Sequence, residues 1–175
     1  MAILQKIHDI LNQRDEPEHC ESVAPTEYTI KVATLDRIDE IYRVHQKCFR
    51  REERYSKSIF NRLLSSPTAI GYCVFTADDK IVGSIFATLE ENGVGHISAI
   101  GILPEHRRRG LAQKLMSHTE EMLKQKGVTV IRLEVRVSNF PAQNLYRKLG
   151  FTVTQRIAKY YRDGEDGFLM VKSLS

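Results

Sequence analysis

The sequence predicts an α/β protein of the α+β type: a mixed central sheet of about seven strands covered by about four helices. Three observations predict it. Apolar residues alternate in some stretches and recur at helical spacing in others, in the order strand, two helices, three strands, helix, strand, helix, two strands. Turn signals at Ala77-Asp78-Asp79, Glu91-Asn92-Gly93 and Asp163-Gly164-Glu165-Asp166 join neighbouring strands as antiparallel hairpins. One long helix separates a strand ending at Leu103 from a strand starting at Val128, a crossover that makes those two strands parallel.

Each element has a local reason. Residues 1–26 stand apart as an N-terminal extension: Ile3, Ile7, Ile10 and Leu11 recur at helical spacing, and a polar linker broken by Pro17 and Pro25 follows. Residues 27–175 form the globular domain. Tyr28–Ala33 alternates as a strand. Asp36 is placed to cap a helix whose inward face carries Ile38, Ile41, Tyr42, Val44 and Phe49. The charged stretch CFRREERYSK leads to a shorter helix starting at Ser56 or Ser58, with Ile59, Phe60, Leu63 and Leu64 inward, and Ser65-Ser66-Pro67 stops it. Ala69–Thr76 and Lys80–Leu89 form a hairpin, and Val94–Leu103 completes the meander before Pro104 ends it. Gly110–Gly127 is a long helix with Leu111, Leu115, Met116, Thr119 and Leu123 on one face. Val128–Val135 is the apolar run of a buried central strand. A helix at Pro141–Leu149, ended by Gly150, precedes the last strands, Phe151–Tyr161 and Gly167–Leu174.

Composition narrows the function. The 175 residues, 42% hydrophobic and 27% charged, suit one soluble domain. No stretch approaches a membrane span, and no secretory signal is visible, so no membrane partner is expected. Lys and Arg exceed Asp and Glu by 26 to 22, a net charge of +4 that is a mild bias towards anions and no nucleic-acid signature. Three distant cysteines without CxxC spacing fit a reducing cytoplasm, with Cys48 and Cys73 as small buried hydrophobes and no metal site.

The most informative stretch runs from Pro104 through Arg107-Arg108-Arg109-Gly110-Leu111-Ala112. A helix N-terminus offers unpaired N–H groups and a positive dipole end. Gly110 and Ala112 remove bulk so that phosphate oxygens can approach the backbone, and three arginines add charged donors. A pyrophosphate fits this cradle, whereas GxGxxG and GxxxxGK[ST] patterns are absent.

HRRRGLAQKLM resembles the acetyl-CoA motif of the GNAT N-acetyltransferase superfamily. LEVRVSNFPAQNLYRKLGF and KYYRDGEDGFLM are similar to the protein N-terminal (Nα) acetyltransferases, the archaeal and ribosomal-protein alanine enzymes among them. The resemblance covers about residues 28–174. It implies a GNAT domain over 27–175, with the two central parallel strands splayed around the pantetheine arm of acetyl-CoA. It further implies that main-chain atoms of Ile100, Gly101 and Ile102 contact this co-substrate, that Arg108, Arg109, Gly110, Leu111, Ala112 and Gln113 surround its pyrophosphate with Arg107 beside them, and that an N–H near Ile100 receives the oxyanion. The activity implied is transfer of acetyl to the free α-amino group of a protein or peptide N-terminus, by direct attack in a ternary complex.

The resemblance also implies roles for single residues. Glu134 matches the general base; on the residues alone it reads equally as a structural ion pair with Arg132 or Arg136, which share its face. His96 matches a position that helps remove the proton, and an imidazole exchanges protons near neutral pH. Tyr146 matches the acid that protonates the departing thiolate. Asn139 matches a cofactor contact and is equally a helix N-cap before Phe140-Pro141. Of the Tyr160-Tyr161 pair, strand alternation sends one ring to the peptide site, taken as Tyr161, and the other to the core. Between the first two helices the chain departs from the family: Arg50, Arg51 and Arg54 suit an anionic acceptor or a solvated loop, and Tyr55 is placed to line a pocket. Relatives act alone or with an auxiliary subunit, so both arrangements stand. The rival readings are a lysine or small-amine acetyltransferase of the same fold and a non-catalytic acyl-CoA-binding module.

Overall fold

The computed structural model describes residues 27–174. The helix expected at Ile3–Leu11, the linker after it and Cys20 lie outside the described residues. Among the described residues one sheet forms from β1 (Tyr28–Val32), β2 (Ala69–Thr76), β3 (Ile81–Glu90), β4 (Val94–Ile102), β5 (Val130–Arg136), β6 (Thr152–Ile157) and β7 (Gly167–Ser173), in the order β1-β2-β3-β4-β5-β7-β6. The helices α1 (Ile38–Cys48), α2 (Lys57–Ser65), α3 (Leu111–Gln125) and α4 (Phe140–Lys148) cover it. β4 and β5 run parallel, with α3 as their crossover, and the other neighbours are antiparallel.

Both faces of the sheet centre are covered, which is why β3 is buried without interruption from Ile81 to Ala87. Phe86 meets Phe60 of α2 on one face, with ring centroids 5.2 Å apart. Tyr72, opposite Ile85, meets His118 of α3 at 4.4 Å on the other face. Leu115, Met116 and Leu123 of α3 and Ile41 of α1 are fully buried. Cys73 is buried as a small apolar residue, and Cys48 is half-buried at the end of α1. Gly101 has a packing reason. A Cβ there would sit 2.7 Å from Cys48 Cβ and 2.9 Å from the Phe49 ring, so only glycine lets the end of α1 close on β4.

Two local expectations need correction. Asp36 does not cap α1: Leu35–Arg37 form a 3-10 turn leading into the helix, and Arg37, at its N-cap position, gives no side-chain cap. The strand expected over Phe151–Tyr161 stops at Ile157. Asp166 accepts from the Lys159 N–H at 2.8 Å and from Arg156 Nε at 2.8 Å, which turns the chain before the two tyrosines.

One irregularity opens the sheet. Phe86 lies opposite Ala99 and Ala87 opposite Ile97, so Ser98 is an extra residue in β4. Such a bulge bends its strand. The parallel pairing of β4 with β5 runs from Val94/Val130 to Ile97/Leu133 and stops at the bulge, while β5 stays paired with β7 as far as Arg136. Beyond Ile97 the two central strands therefore part, and a cleft occupies the gap.

Candidate active site

The cleft encloses about 210 Å³. Its floor is Ile97, Ser98, Ala99 and Ile100 of β4 and Leu133, Glu134, Val135 and Arg136 of β5. Asn139, Ala142 and Tyr146 close one side, and His45, Phe49, Glu53, Tyr55 and Tyr161 close the other. The splay frees main-chain groups along β4. The Leu103 N–H donates to Val82 on β3, so alternation turns the amides of Ile102 and Ile100 towards the gap. Ile102 C=O accepts from Arg107 Nε at 2.9 Å, and Ser98 C=O accepts from the Tyr55 hydroxyl at 2.8 Å. The Ile100 N–H is left aimed at the cleft.

Glu134 is the cleft carboxylate on the floor of the gap, with a side chain 10% exposed, while Glu53 stands on the wall. His96 Nε2 donates to its Oε2 at 2.7 Å, and Arg132 donates to its Oε1. Arg132 is held in turn by both oxygens of Glu90, at 3.0 and 2.7 Å. Of the two arginines that alternation places beside Glu134, Arg132 is the partner. Burial is the largest influence on Glu134 and raises its pKa. The hydrogen bond from His96 and the charges of His96 and Arg132 outweigh it, so the carboxyl is held below its ordinary value. It is an ionised acceptor near neutral pH, with lone pairs to spare for a substrate N–H or a water. His96 Nδ1 faces Glu90 Oε1 at 3.8 Å, so the imidazole stands between two carboxylates.

Tyr146 is buried on α4, and burial pushes its hydroxyl up to about 12, which keeps the proton in place. Asn139 is the N-cap of α4: its Oδ1 accepts from the Ala142 N–H at 3.2 Å while the residue borders the cleft. Tyr161 lines the cleft. Tyr160 is not a core aromatic. It is 45% exposed, and its pKa is raised by burial and by the nearby charge of Glu134. The pair sits in a turn, with ring centroids 5.0 Å apart, so strand alternation does not separate them.

The stretch expected to cradle an anion lies at the end of β4 that points into the splay. Pro104–His106 turn once, His106 is buried with Nδ1 2.9 Å from the Tyr28 hydroxyl, and Arg107 folds back on Ile102. Arg108 and Gly110 both take left-handed backbone, at φ 61° and 74°. Gly110 is the N-cap of α3, and no side chain caps that helix. The first-turn N–H groups at Leu111, Ala112 and Gln113 have no carbonyl four residues back inside the helix. The glycine adds no bulk in front of them, which fits a phosphate group.

Sequence reasoning missed His45, Phe49, Glu53 and Arg136 as cleft residues. His45 accepts the Tyr55 N–H on Nε2 at 3.0 Å and stacks on Phe49 at 4.1 Å, and burial lowers its pKa to about 4, so it is a neutral wall. Its apolar helix face could have signalled burial. Glu53 has no such signal: it points inward because Arg136 pairs with it, while Arg51 and Arg54 are exposed, Arg50 reaches Glu165 at 3.7 Å and Arg54 donates to Phe49 C=O. The exposure of Arg50, Arg51 and Arg54 fits the solvated-loop alternative for this stretch.

The profile of the acetyltransferase (GNAT) family matches residues 38–151. An N-alpha-acetyltransferase of Saccharolobus solfataricus is 32% identical over 160 residues, covering 85% of this chain and 94% of the relative. The catalytic subunit of the N-terminal acetyltransferase A complex of Arabidopsis thaliana is 35% identical over 151 residues, 83% of this chain and 77% of the relative. The crystal structure of the ribosomal-protein-S18-alanine N-acetyltransferase from Escherichia coli superimposes with a TM-score of 0.77 at 24% identity, covering 85% of this chain and 95% of that one, and shares the fold. Cleft, cradle and sequence agree: the chain belongs to the GNAT acetyltransferase family, as an acetyl-CoA-dependent N-acetyltransferase.

Proposed function

We propose that the protein acetylates the free α-amino group of peptide and protein N-termini by direct attack on acetyl-CoA. The observation that carries this reading is the Glu134–His96 pair on the wall of a cleft opened between two parallel strands. The curated relatives named as Nα-acetyltransferases support the same acceptor. The cradle at Arg108–Gln113 holds the pyrophosphate, and the gap beside Ile100 holds the pantetheine arm as an added strand.

In the acceptor's neutral form the amine nitrogen attacks the thioester carbon. The Ile100 N–H donates to the oxygen as negative charge develops there. The Glu134–His96 pair takes up the amine proton, directly or through a water. If it rests on His96 Nδ1, the imidazolium lies between Glu134 and Glu90, and both carboxylates stabilise it. The C–N bond forms, the C–S bond breaks, and Tyr146 donates its proton to the departing thiolate. An α-amine, with a pKa of about 7.7–8.0, is partly neutral before it binds, whereas lysine at about 10.4 is not, so a modest base suits the first.

The test is CoA release with short peptides differing in the first residue, beside an N-terminally blocked peptide carrying a lysine. Turnover on free N-termini alone is expected. Turnover confined to the blocked peptide would make the enzyme a lysine acetyltransferase. Acetyl-CoA binding with no turnover on any acceptor would leave a binding module.

A further inference from the structure

Arg136, at the end of β5, is only 3% exposed although it borders the cleft. Its Nε donates to Glu53, and its Nη1 donates to Asp163 at 2.8 Å and Glu165 at 2.7 Å. The Tyr161 ring lies 4.0 Å from the guanidinium carbon. Nη2 is buried and has no hydrogen-bond partner among the described residues. Native proteins rarely leave a buried donor unused, and this one belongs to a residue that lines the cleft, where a ligand can bring the acceptor.

The charge around this donor says which acceptor. Three carboxylates close on one buried guanidinium, and exposed Arg50 reaches Glu165 at 3.7 Å without restoring balance. The collar itself is net negative by one charge, three carboxylates against Arg136 and Arg50. An uncharged oxygen can take the free N–H, whereas another carboxylate would be set beside three of its own sign.

We infer that Arg136 is a positioning residue that holds a main-chain carbonyl of the acceptor peptide, and that its carboxylate collar selects against acidic residues next to the reacting amine. The inference rests on the proposed peptide acceptor. The preferred substrates are N-termini whose first residues are uncharged or basic.

The experiment measures kcat and KM for three peptides that differ only in a second residue of Ala, Lys or Glu. For the wild type, kcat/KM for the Glu peptide should be lower by roughly tenfold or more. Asp163→Asn should narrow that gap several-fold. Arg136→Lys keeps the charge and loses the planar fork, so it should raise peptide KM roughly tenfold while the KM for acetyl-CoA stays put. A peptide whose first carbonyl is replaced by a methylene should lose affinity for the wild type and lose no more in Arg136→Lys. Should Arg136→Lys fail to fold, the Asp163→Asn ratio decides alone. Equal rates on all three peptides would overturn the inference and leave the proposed function standing. No turnover on any peptide N-terminus would remove both.

Discussion

Replacing Glu134 by Gln is expected to lower kcat/KM for a peptide acceptor by about 10²–10⁴-fold, the range a positioned acid–base group contributes. The substitution keeps the shape of the side chain and removes the proposed acceptor of the amine proton. Arg132 retains both oxygens of Glu90, so the local fold survives. The pH dependence separates the enzyme's proton from the acceptor's. Glu134 titrates below its ordinary value of 4.5, so it is ionised throughout the working range and adds no limb above pH 6. The rate should rise as the α-ammonium loses its proton, at about pH 7.7–8.0, and then flatten. The variant should keep that shape at a lower height. The depressed carboxyl pKa also has a consequence for stability: the wild type gains stability from Glu134 above pH 4.5 and loses it as the pH falls through the lower folded value. A loss of activity under roughly tenfold, joined to a clear drop in unfolding temperature, would make Glu134 a structural partner of Arg132.

Tyr146→Phe should lower kcat by about 10²-fold, the low end for an acid because a thiolate leaves without much help. The ring is kept, so packing beside Phe151 at 6.0 Å is retained. Burial holds the hydroxyl at about 12, so the wild type has its proton at every working pH, and no high-pH decline should come from this group. The KM for acetyl-CoA should change little. A raised KM with kcat intact would mean that Tyr146 contacts the co-substrate without donating a proton.

Strand and helix identity was legible because the period changes sharply along the chain. Turn residues fixed the hairpins, and the long helix between Leu103 and Val128 could only be a crossover. The cradle was legible for the same reason, since Arg108, Gly110 and α3 are contiguous. Less was legible where distant residues decide. Ser98 looks like any strand serine, yet as a bulge it ends the parallel pairing and opens the cleft. Asp166 stops β6 from across a turn, so alternation failed for Tyr160 and Tyr161. Three arginines between α1 and α2 suggested a positive acceptor side or a solvated loop, and nothing in the stretch marked Glu53 as the residue that turns inward to Arg136 while Arg51 and Arg54 stay exposed. Local composition cannot say which charge of a loop finds a buried partner 83 residues away.

The central claim concerns which nitrogen receives the acetyl group. The most direct measurement takes one peptide that carries both a free α-amine and an internal lysine, incubates it with enzyme and acetyl-CoA, and locates the acetyl group by tandem mass spectrometry. The account predicts acetyl on the terminal nitrogen alone in the wild type, and almost none in Glu134→Gln. Acetyl on the lysine, with the terminus unmodified, would contradict it.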